Sequence, residues 1–337
     1  MSSPSLATKV LLALTNFQSP LLRTIVPCAA AAVAIQAAAA APSVLFRSER
    51  FFDLSGSLTY VAVGALGLYL PSLRARALAA AKGVAADKLP SVPGIAALVR
   101  DAFGKAAGSR NWRQVMLTGM VMVWAARLGS YLFSRVLQQG HDSRFDRIRN
   151  QPVKFASVFL IQAIWVMLPL MPVLALNAVP ATTIAAGAPR LAPSDVLGMS
   201  LWAVGFYFET VADLQKSRWQ REKALKLHDE AFMTSGLFGK CRYPNYFGEI
   251  SMWTGIATTA AGVLSRAPVQ QALGLAGPAG LLTTTALSYV SPAFTAFLLL
   301  KVSGVPLSEP KYDKRFGDRK DYQQWRNNTP RLIPKLW

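Results

Sequence analysis

The stretch GLFGKCRYPNYFGEISMWTGI, residues 236–256, places a glycine-broken turn directly before a helix that becomes apolar. Pro244 suits the first helical position, because its missing N–H would have no partner there in any case. Asn245 and Glu249 stand four residues apart, so they share one helix face, with Tyr246 beside them. A carboxylate, an amide and a phenol are costly at the start of a membrane helix, and this cost favours a functional role.

The turn itself is basic. Lys240 and Arg242 come just before the predicted helix, whose first N–H groups have no acceptors within the helix. Cations and free N–H groups together favour an anionic ligand such as a phosphate.

The overall composition is that of an integral membrane protein. Among 337 residues, 52% are hydrophobic and only 16% are charged, and the mean hydropathy is +0.30; a soluble domain carries nearer a quarter of charged residues. Lys and Arg number 36 against 17 Asp and Glu, a net charge of +19. This excess favours cytosolic loops, anionic lipid headgroups or a phosphorylated cofactor. Nucleic acid is not expected as a partner, since no binding motif accompanies the charge.

Several classes of site are disfavoured. The two cysteines, Cys28 and Cys241, lie far apart and form no CxxC, so neither a disulfide nor a zinc site is expected. Two histidines, His141 and His228, are too few for a histidine-rich di-iron centre. We therefore expect no metal. The chain also lacks GxGxxG and GxxxxGK[ST], the Rossmann and P-loop fingerprints.

Apolar stretches of about 20 residues, the length that a bilayer requires, predict an all-α membrane protein of about seven transmembrane helices. The predicted spans are 24–46, 54–72, 112–134, 155–177, 195–212, 247–264 and 276–300. The first is alanine-rich and weak, so we separate an N-terminal segment, 1–46, from a membrane domain, 47–334. A targeting role for residues 1–23 stays open.

The distribution of positive charge predicts the topology. Loops 135–154 and 213–246 and the tail 301–337 are basic and are expected in the cytosol, where they would close a cofactor site. The Ala/Arg/Lys linker 73–111 is also basic, yet alternation of the spans places it on the opposite side. Either it is translocated, or residues 91–104 re-enter the membrane.

A second group of polar residues follows the fifth predicted span at helical spacing. The stripe consists of Trp202, Phe206, Glu209, Asp213 and Lys216. One interpretation is a solvated helix end with Asp213 paired to Lys216. The other is a binding wall, in which the carboxylates accept hydrogen bonds from a cofactor while Lys216 and Arg218 contact its phosphates.

Two more arginines are candidate cofactor contacts. Arg127 lies inside the third predicted span, where it either snorkels to the interface or pairs with Glu209, Asp213 or Glu249. Arg144 lies in the loop HDSRFDRIR, which alternates acids and bases and is otherwise typical of a solvated loop.

The C-terminal tail is basic, aromatic and rich in turns. On its own this pattern predicts a juxtamembrane tail held at the lipid headgroups by Trp325, Trp337 and the surrounding cations.

Four ordered blocks resemble the steroid 5-alpha-reductase-like membrane proteins, in the branch that shares their C-terminal domain. The blocks are RLGSYLFSRVLQQGHDSRFD from Arg127, FETVADLQKSRW from Phe208, GLFGKCRYPNYFGE from Gly236, and SPAFTAFLLLKVSGVPLSEPKYDKRFGD from Ser291. The stretch RSERFFDLSGSLTYV from Arg47 fits the same branch, so the resemblance covers roughly residues 47–334.

The resemblance implies seven helices, NADPH bound on the cytosolic side, and hydride transfer to an activated carbon–carbon double bond of a hydrophobic lipid. Asp213, Asn245 and Glu249 match cofactor-site positions of that family, and Arg242, Tyr246 and Gly248 lie in the same motif. Tyr243 stands where the branch usually has histidine. With Tyr246 and Glu249 it forms the candidate catalytic set, since a phenol can donate a proton.

Two other functions stay open. One is a non-catalytic membrane protein that keeps the fold, and the other is an isoprenylcysteine-type methyltransferase that uses S-adenosylmethionine. The family's usual location predicts the endoplasmic reticulum, while the acid-free N-terminus also fits a mitochondrial or other organelle membrane.

The charge pattern yields a topological prediction. The tail after Lys301 should face the cytosol, because it is basic and follows an apolar span flanked by a charge-poor loop. Protease treatment of sealed microsomes should therefore remove a C-terminal tag. A tag that stays fully protected until detergent is added would reverse the orientation.

Overall fold

The computed structural model describes residues 5–104, 109–140, 142 and 144–335, and over these ranges the chain is all-helical, with no strand. In chain order the α-helices are α1 (Leu6–Leu14), α2 (Pro20–Leu45), α3 (Phe52–Ala81), α4 (Ile95–Phe103), α5 (Trp112–Gln139), α6 (Pro152–Asn177), α7 (Ala181–Gly187), α8 (Pro193–Ala224), α9 (Pro244–Leu264), α10 (Ala267–Ala272), α11 (Gly277–Phe297), α12 (Val305–Phe316) and α13 (Lys320–Asn328). A π-helical turn, Leu298–Val302, follows α11. His141 and Trp337 lie outside the described residues, as do the first four residues of the predicted N-terminal segment.

Five helical segments of the described chain are long and apolar enough to cross a membrane, as expected of an integral membrane protein. They are Pro20–Leu45, Phe52–Ala81, Trp112–Gln138, Pro152–Asn177 and Gly277–Phe316. The predicted spans 195–212 and 247–264 are also helical, in α8 and α9, but they are not among the five. The all-α fold class is therefore confirmed, while the count of seven spans stays a prediction.

The predicted linker 73–111 is more ordered than its composition indicates. Its first residues continue α3 to Ala81, and α4 occupies Ile95–Phe103. Residues 105–108 lie outside the described part of the chain. Low sequence complexity therefore did not exclude helix here, because alanine and arginine are both strong helix formers.

The chain divides into two compact units. Unit 1 comprises Met1–Ala192 and Ala260–Ser288, and unit 2 comprises Pro193–Thr259 and Tyr289–Trp337. The predicted boundary between residues 46 and 47 falls inside unit 1.

Unit 1 is built on mutual packing of α2, α3, α5 and α6. At its centre the ring of Tyr60 meets those of Trp124 and Trp165 edge to face, with centroids 5.1 and 4.9 Å apart. The Tyr60 hydroxyl donates to the Trp165 carbonyl at 2.7 Å, so the buried phenol is satisfied. Gln36, Thr59 and other buried polar groups bond across the helices in the same way.

Unit 2 depends on backbone contact between α8 and α9. A Cβ on Gly205 would lie 2.5 Å from the Gly248 carbonyl oxygen, and one on Gly255 would lie 2.3 Å from the Gly198 carbonyl oxygen. The glycines are seven residues apart on each helix, and they meet in reverse order, so the helices run antiparallel. Small residues let membrane helices approach until their backbones touch, and dispersion then stabilises the pair.

The contact between the glycines fixes where the polar residues of α8 lie along the length of α9. A Cβ on Gly248 would lie 2.6 Å from the backbone nitrogen of Glu209. Asp213 follows Glu209 by one turn of α8, so it lies level with the beginning of α9, which starts at Pro244 as predicted. The two carboxylates are buried, with 3% and 6% exposure.

This contact can be tested by adding one methyl group. Gly248→Ala should reduce the free energy of unfolding by about 1–3 kcal/mol, because the new Cβ meets backbone atoms that cannot rotate away. Gly119→Ala in α5 is the matched control, since a Cβ there has nothing within 4 Å. Detergent-solubilised Gly248→Ala should melt well below wild type and Gly119→Ala should not; equal melting temperatures for the two variants would refute backbone contact at Gly248.

Candidate functional site

A small cavity of unit 2 gathers much of the predicted site. Its volume is about 90 Å³. The lining residues are Lys216, Trp219, Gln220, Met233, Phe238, Arg242, Tyr243, Asn245, Tyr246, Ser308, Glu309, Tyr312, Tyr322 and Trp325. Five of them were candidates from the sequence: Lys216, Arg242, Tyr243, Asn245 and Tyr246. They come from the end of α8, the basic turn and the first turn of α9.

The basic turn is held in place by α8. Gly236 has a φ of +61°, in the left-handed region that favours glycine, and a Cβ there would lie 2.5 Å from the Gln215 side-chain oxygen. The same Gln215 oxygen accepts a hydrogen bond from the Leu237 amide at 3.0 Å. One amide side chain of α8 therefore fixes where the turn begins.

The C-terminal segment pairs with the turn along its backbone. Arg242 N–H donates to the Pro330 carbonyl at 2.9 Å, Tyr243 N–H to Arg331 at 3.1 Å, and Lys335 N–H to Lys240 at 3.0 Å. The first two bonds satisfy amides that precede α9 and would otherwise need water. The segment after α13 is thus part of the wall of the cavity.

Trp325 has contacts within unit 2, and the headgroup contact expected of it stays a prediction. Its ring packs 5.6 Å from that of Phe232, and its indole N–H donates to the Phe238 carbonyl at 3.2 Å. Tyr322 packs edge to face on the same Phe232 at 5.2 Å. Phe232, Tyr322 and Trp325 thus form a small aromatic cluster, and the latter two also line the cavity.

Glu309 joins the turn to the tail by charge. Its carboxylate accepts from Arg242 at 2.6 Å and lies 3.2 Å from Arg331. The Arg242 and Glu309 side chains are only 12% and 15% exposed, so water screens this pair little. Within the described part of the chain, the Nε–H of Arg242 is buried and has no acceptor. The arginine therefore keeps one donor for a ligand.

Two tyrosines form the aromatic wall. Tyr243 and Tyr246 are stacked, with ring centroids 5.0 Å apart and planes 5° from parallel, and the Ser308 hydroxyl donates to the Tyr243 hydroxyl at 3.3 Å. Burial raises the pKa of Tyr243 and raises that of Tyr246 to about 12, where Tyr243 and Glu249 add to the effect. Both phenols are therefore protonated at neutral pH and can donate. Gly304 lies against the pair, and a Cβ on it would be 2.8 Å from the Tyr246 ring.

The other candidates of unit 2 occupy α8 and α9. Glu209 and Asp213 are buried on α8, and Glu249 is half-buried on α9, one turn after Asn245. Arg218 is different, because its side chain is 74% exposed and pairs with Glu222 at 2.7 Å. The phosphate role predicted for Arg218 stays a prediction.

Arg127 and Arg144 belong to unit 1. Arg127 lies 5.7 Å from the centroid of the Tyr131 ring, and its predicted pairing with a carboxylate of α8 or α9 stays a prediction. The Arg144 guanidinium is 2.8 Å from Asp53 and 2.6 Å from Asp142. The Asp53 and Asp142 carboxylates raise the pKa of the partly exposed Arg144, so this loop is ion-paired rather than purely solvated.

Two kinds of chemistry are relevant here, namely nucleophilic attack by the Cys241 thiolate and metal binding. Burial raises the pKa of the Cys241 thiol to about 11, so no thiolate nucleophile is present at neutral pH. Within the described ranges, no three His, Cys, Asp or Glu side chains come together as metal ligands would.

Sequence reasoning missed the contribution of the tail to the cavity. Ser308, Glu309, Tyr312 and Tyr322 were part of a resemblance block or of the tail, but they were not candidate site residues. The signal that could have found them is the alternation of aromatic and charged residues in KYDKRFGDRKDYQQW, which is unusual for a tail that only touches headgroups.

A family model matches most of the chain. The family described as "Protein of unknown function (DUF1295)" matches residues 90–329, which include α4 to α13, the basic turn and the cavity. No curated protein and no solved structure matches the chain.

The Glu309 link can be tested against a pair of similar geometry. Glu309→Gln should reduce the free energy of unfolding by about 1–3 kcal/mol, because it leaves a largely buried guanidinium without its counter-charge. Glu222→Gln breaks the Arg218 pair at 2.7 Å, but that pair is exposed and should leave stability unchanged. The melting temperatures of the two variants in detergent test this expectation. An equal melting temperature for both would contradict a structural role for the buried Arg242–Glu309 pair.

Proposed function

The chain belongs to the DUF1295 family, and we propose that it is an NADPH-dependent membrane oxidoreductase that reduces a carbon–carbon double bond of a lipid. The resemblance to steroid 5-alpha-reductase-like proteins suggests this reaction, with a steroid-like, polyprenoid or fatty acyl enone as the substrate class. An organelle membrane, with the endoplasmic reticulum first, is the proposed location.

The observation that carries the proposal is the unused donor of Arg242. A buried N–H without an acceptor costs about 1–3 kcal/mol, and a ligand oxygen would remove that cost. Arg242 lines a cavity together with Lys216, Asn245 and the stacked tyrosines, and its Nε–H lies buried behind that wall. Two cations, an amide and an aromatic wall are the groups that a phosphorylated nicotinamide cofactor needs.

The size of the cavity limits what it holds. Its 90 Å³ is below the roughly 300–1,000 Å³ of typical ligand pockets. The donors present fit one part of NADPH, such as a ring or a phosphate, and the remainder of the cofactor would lie outside this volume.

The residues of the cavity support proton transfer. When bound, NADPH would supply a hydride to one carbon of the double bond. The Tyr243 or Tyr246 hydroxyl then gives its proton to the neighbouring carbon, and Ser308 stands at hydrogen-bond distance from Tyr243 to stabilise the resulting phenolate. Glu249, on the face of Asn245, orients the cofactor by accepting hydrogen bonds from a neutral group.

A non-catalytic role is the second candidate. It is favoured by the Arg242–Glu309 pair, which already uses part of the guanidinium, and by the small volume of the cavity. In that case the same contacts serve only to fix the tail to the turn.

A ligand panel separates these functions. Addition of NADPH at a hundredfold excess over its dissociation constant should stabilise the purified protein by about 2.7 kcal/mol, and NADH should bind more weakly because it lacks the 2′-phosphate. Lys216→Gln should raise the NADPH dissociation constant about tenfold. The matched control is Arg221→Gln on the exposed surface of α8, which should leave NADPH binding intact.

The same panel contains the outcomes that reject the proposal. Stabilisation by S-adenosylmethionine and not by NADPH would establish the methyltransferase alternative. No response to NADPH, NADH or S-adenosylmethionine, with wild-type melting intact, would favour the non-catalytic role.

A further inference from the structure

Unit 1 contains a cavity that the proposed reaction does not use. Its volume is about 880 Å³, within the range of ligand pockets. The described lining residues are Ala102, Phe103, Gly104, Arg110, Asn111, Trp112, Arg113, Ala181, Ala185, Ala188, Pro189, Arg190 and Leu191. They include three arginines, and no carboxylate is among them.

Arg110 is the most informative of these cations. It is 5% exposed, and among the described residues its guanidinium donates only to the carbonyls of Leu68 and Asn177. Burial lowers the pKa of Arg110 to about 10, and no neighbouring carboxylate counteracts this shift. A buried charge that faces only neutral acceptors is costly, and an anion in the cavity would reduce that cost.

The other cations of the cavity are held rigidly. Arg113 is 1% exposed, donates to the Pro189 carbonyl at 2.7 Å and lies 4.7 Å from the centroid of the Trp112 ring. The Trp112 indole N–H donates to the Arg190 carbonyl at 3.2 Å. The loop that carries Arg190 is therefore fixed to the start of α5, and an anion would meet a preformed positive site.

The surroundings of the cavity favour a lipid over a soluble anion. The cavity lies where the span of α5 begins, with an indole at the rim, as at membrane interfaces. Helix α4 exposes Ile95, Val99 and Phe103, at 74%, 40% and 49%, while Leu98 is buried. Residues four apart share one face, so α4 presents an apolar stripe that ends at Phe103 in the cavity wall.

We propose that this cavity binds the phosphate of an anionic phospholipid headgroup, with the acyl chains lying along the apolar stripe of α4. Arg110, Arg113 and Arg190 supply the positive charge, and Trp112 and Phe103 contact the glycerol and upper acyl region. Basic pockets between transmembrane helices bind anionic headgroups by this combination of charge and apolar contact. The site gives α4 a position in the membrane interface, rather than in the aqueous phase.

Native mass spectrometry of the full-length protein in neutral detergent tests the site. Dioleoyl phosphatidylglycerol should bind at least about tenfold more tightly than dioleoyl phosphatidylcholine, whose headgroup has no net charge. Arg190→Gln, which changes an exposed side chain, should weaken phosphatidylglycerol binding about fivefold. Ala188→Trp, which fills the cavity without changing its charge, should weaken it at least as much.

Arg147→Gln is the matched control, because it removes one exposed positive charge from unit 1 outside the cavity lining. Its affinity for phosphatidylglycerol should equal that of wild type. Equal binding of the two lipids to the wild-type protein would overturn the proposal. So would an Ala188→Trp variant that melts like wild type and still binds phosphatidylglycerol with unchanged affinity. Full displacement of phosphatidylglycerol by millimolar inorganic phosphate would also overturn it, because the site would then recognise a free anion rather than a lipid.

Discussion

Backbone contact between α8 and α9 is the constraint on which the geometry of unit 2 depends. Glycine has no side chain, so at these positions the two helices cannot gain from burying large apolar groups against each other. Close approach at Gly198, Gly205, Gly248 and Gly255 provides dispersion contacts instead. The same contact allows no sliding, because a shift of one residue would replace a glycine by a side chain. The positions of the polar residues along α8 are therefore fixed relative to those along α9.

The C-terminal tail forms the part of the cavity wall that α8, α9 and the segment between them do not provide. The turn before α9 has amide groups that precede the helix, and the backbone of the tail accepts from two of them. Glu309 adds a charged link of low exposure between Arg242 and Arg331. Glu309 holds the first part of this segment by an ion pair, the aromatic rings hold its middle, and backbone bonds at Pro330, Arg331 and Lys335 hold its end, so it behaves as a fixed wall. The tyrosines and the Arg242 donor are thus preorganised, which reduces the cost of ordering them on ligand binding.

The arginines of this protein fall into two classes by their counter-charges. Arg242 and Arg144 each contact a carboxylate within 3 Å, so their charge is balanced inside the protein. Arg110 is buried against carbonyl oxygens alone among the described residues. Local sequence does not separate these classes, since all three lie in basic or turn-rich segments. The distinction matters for function, because an arginine paired with an internal carboxylate stabilises the fold, whereas a buried one that bonds only to neutral carbonyls attracts an anion.

The sequence by itself determined the all-α class, the long apolar helices and the start of α9. Pro244 begins the helix because its fixed φ and missing N–H suit that position, and Asn245 and Glu249 share a face because of the helical period. These rules act within one or two turns, so they can be read from neighbouring residues. Lys216 was a candidate from the helical stripe, Arg242 and Tyr246 from the motif around the start of α9, and the cavity contains all three.

Only the tertiary structure decided which distant residues share a site. Glu309 lies 67 residues from Arg242, and Trp325 lies 87 residues from Phe238, so no local rule could pair them. The glycines at seven-residue spacing acquire a meaning only once the two helices are known to run antiparallel in one register. Local backbone preferences are fixed by covalent geometry and extend over a few residues, whereas these contacts depend on how closely whole helices approach, which many small packing energies determine together.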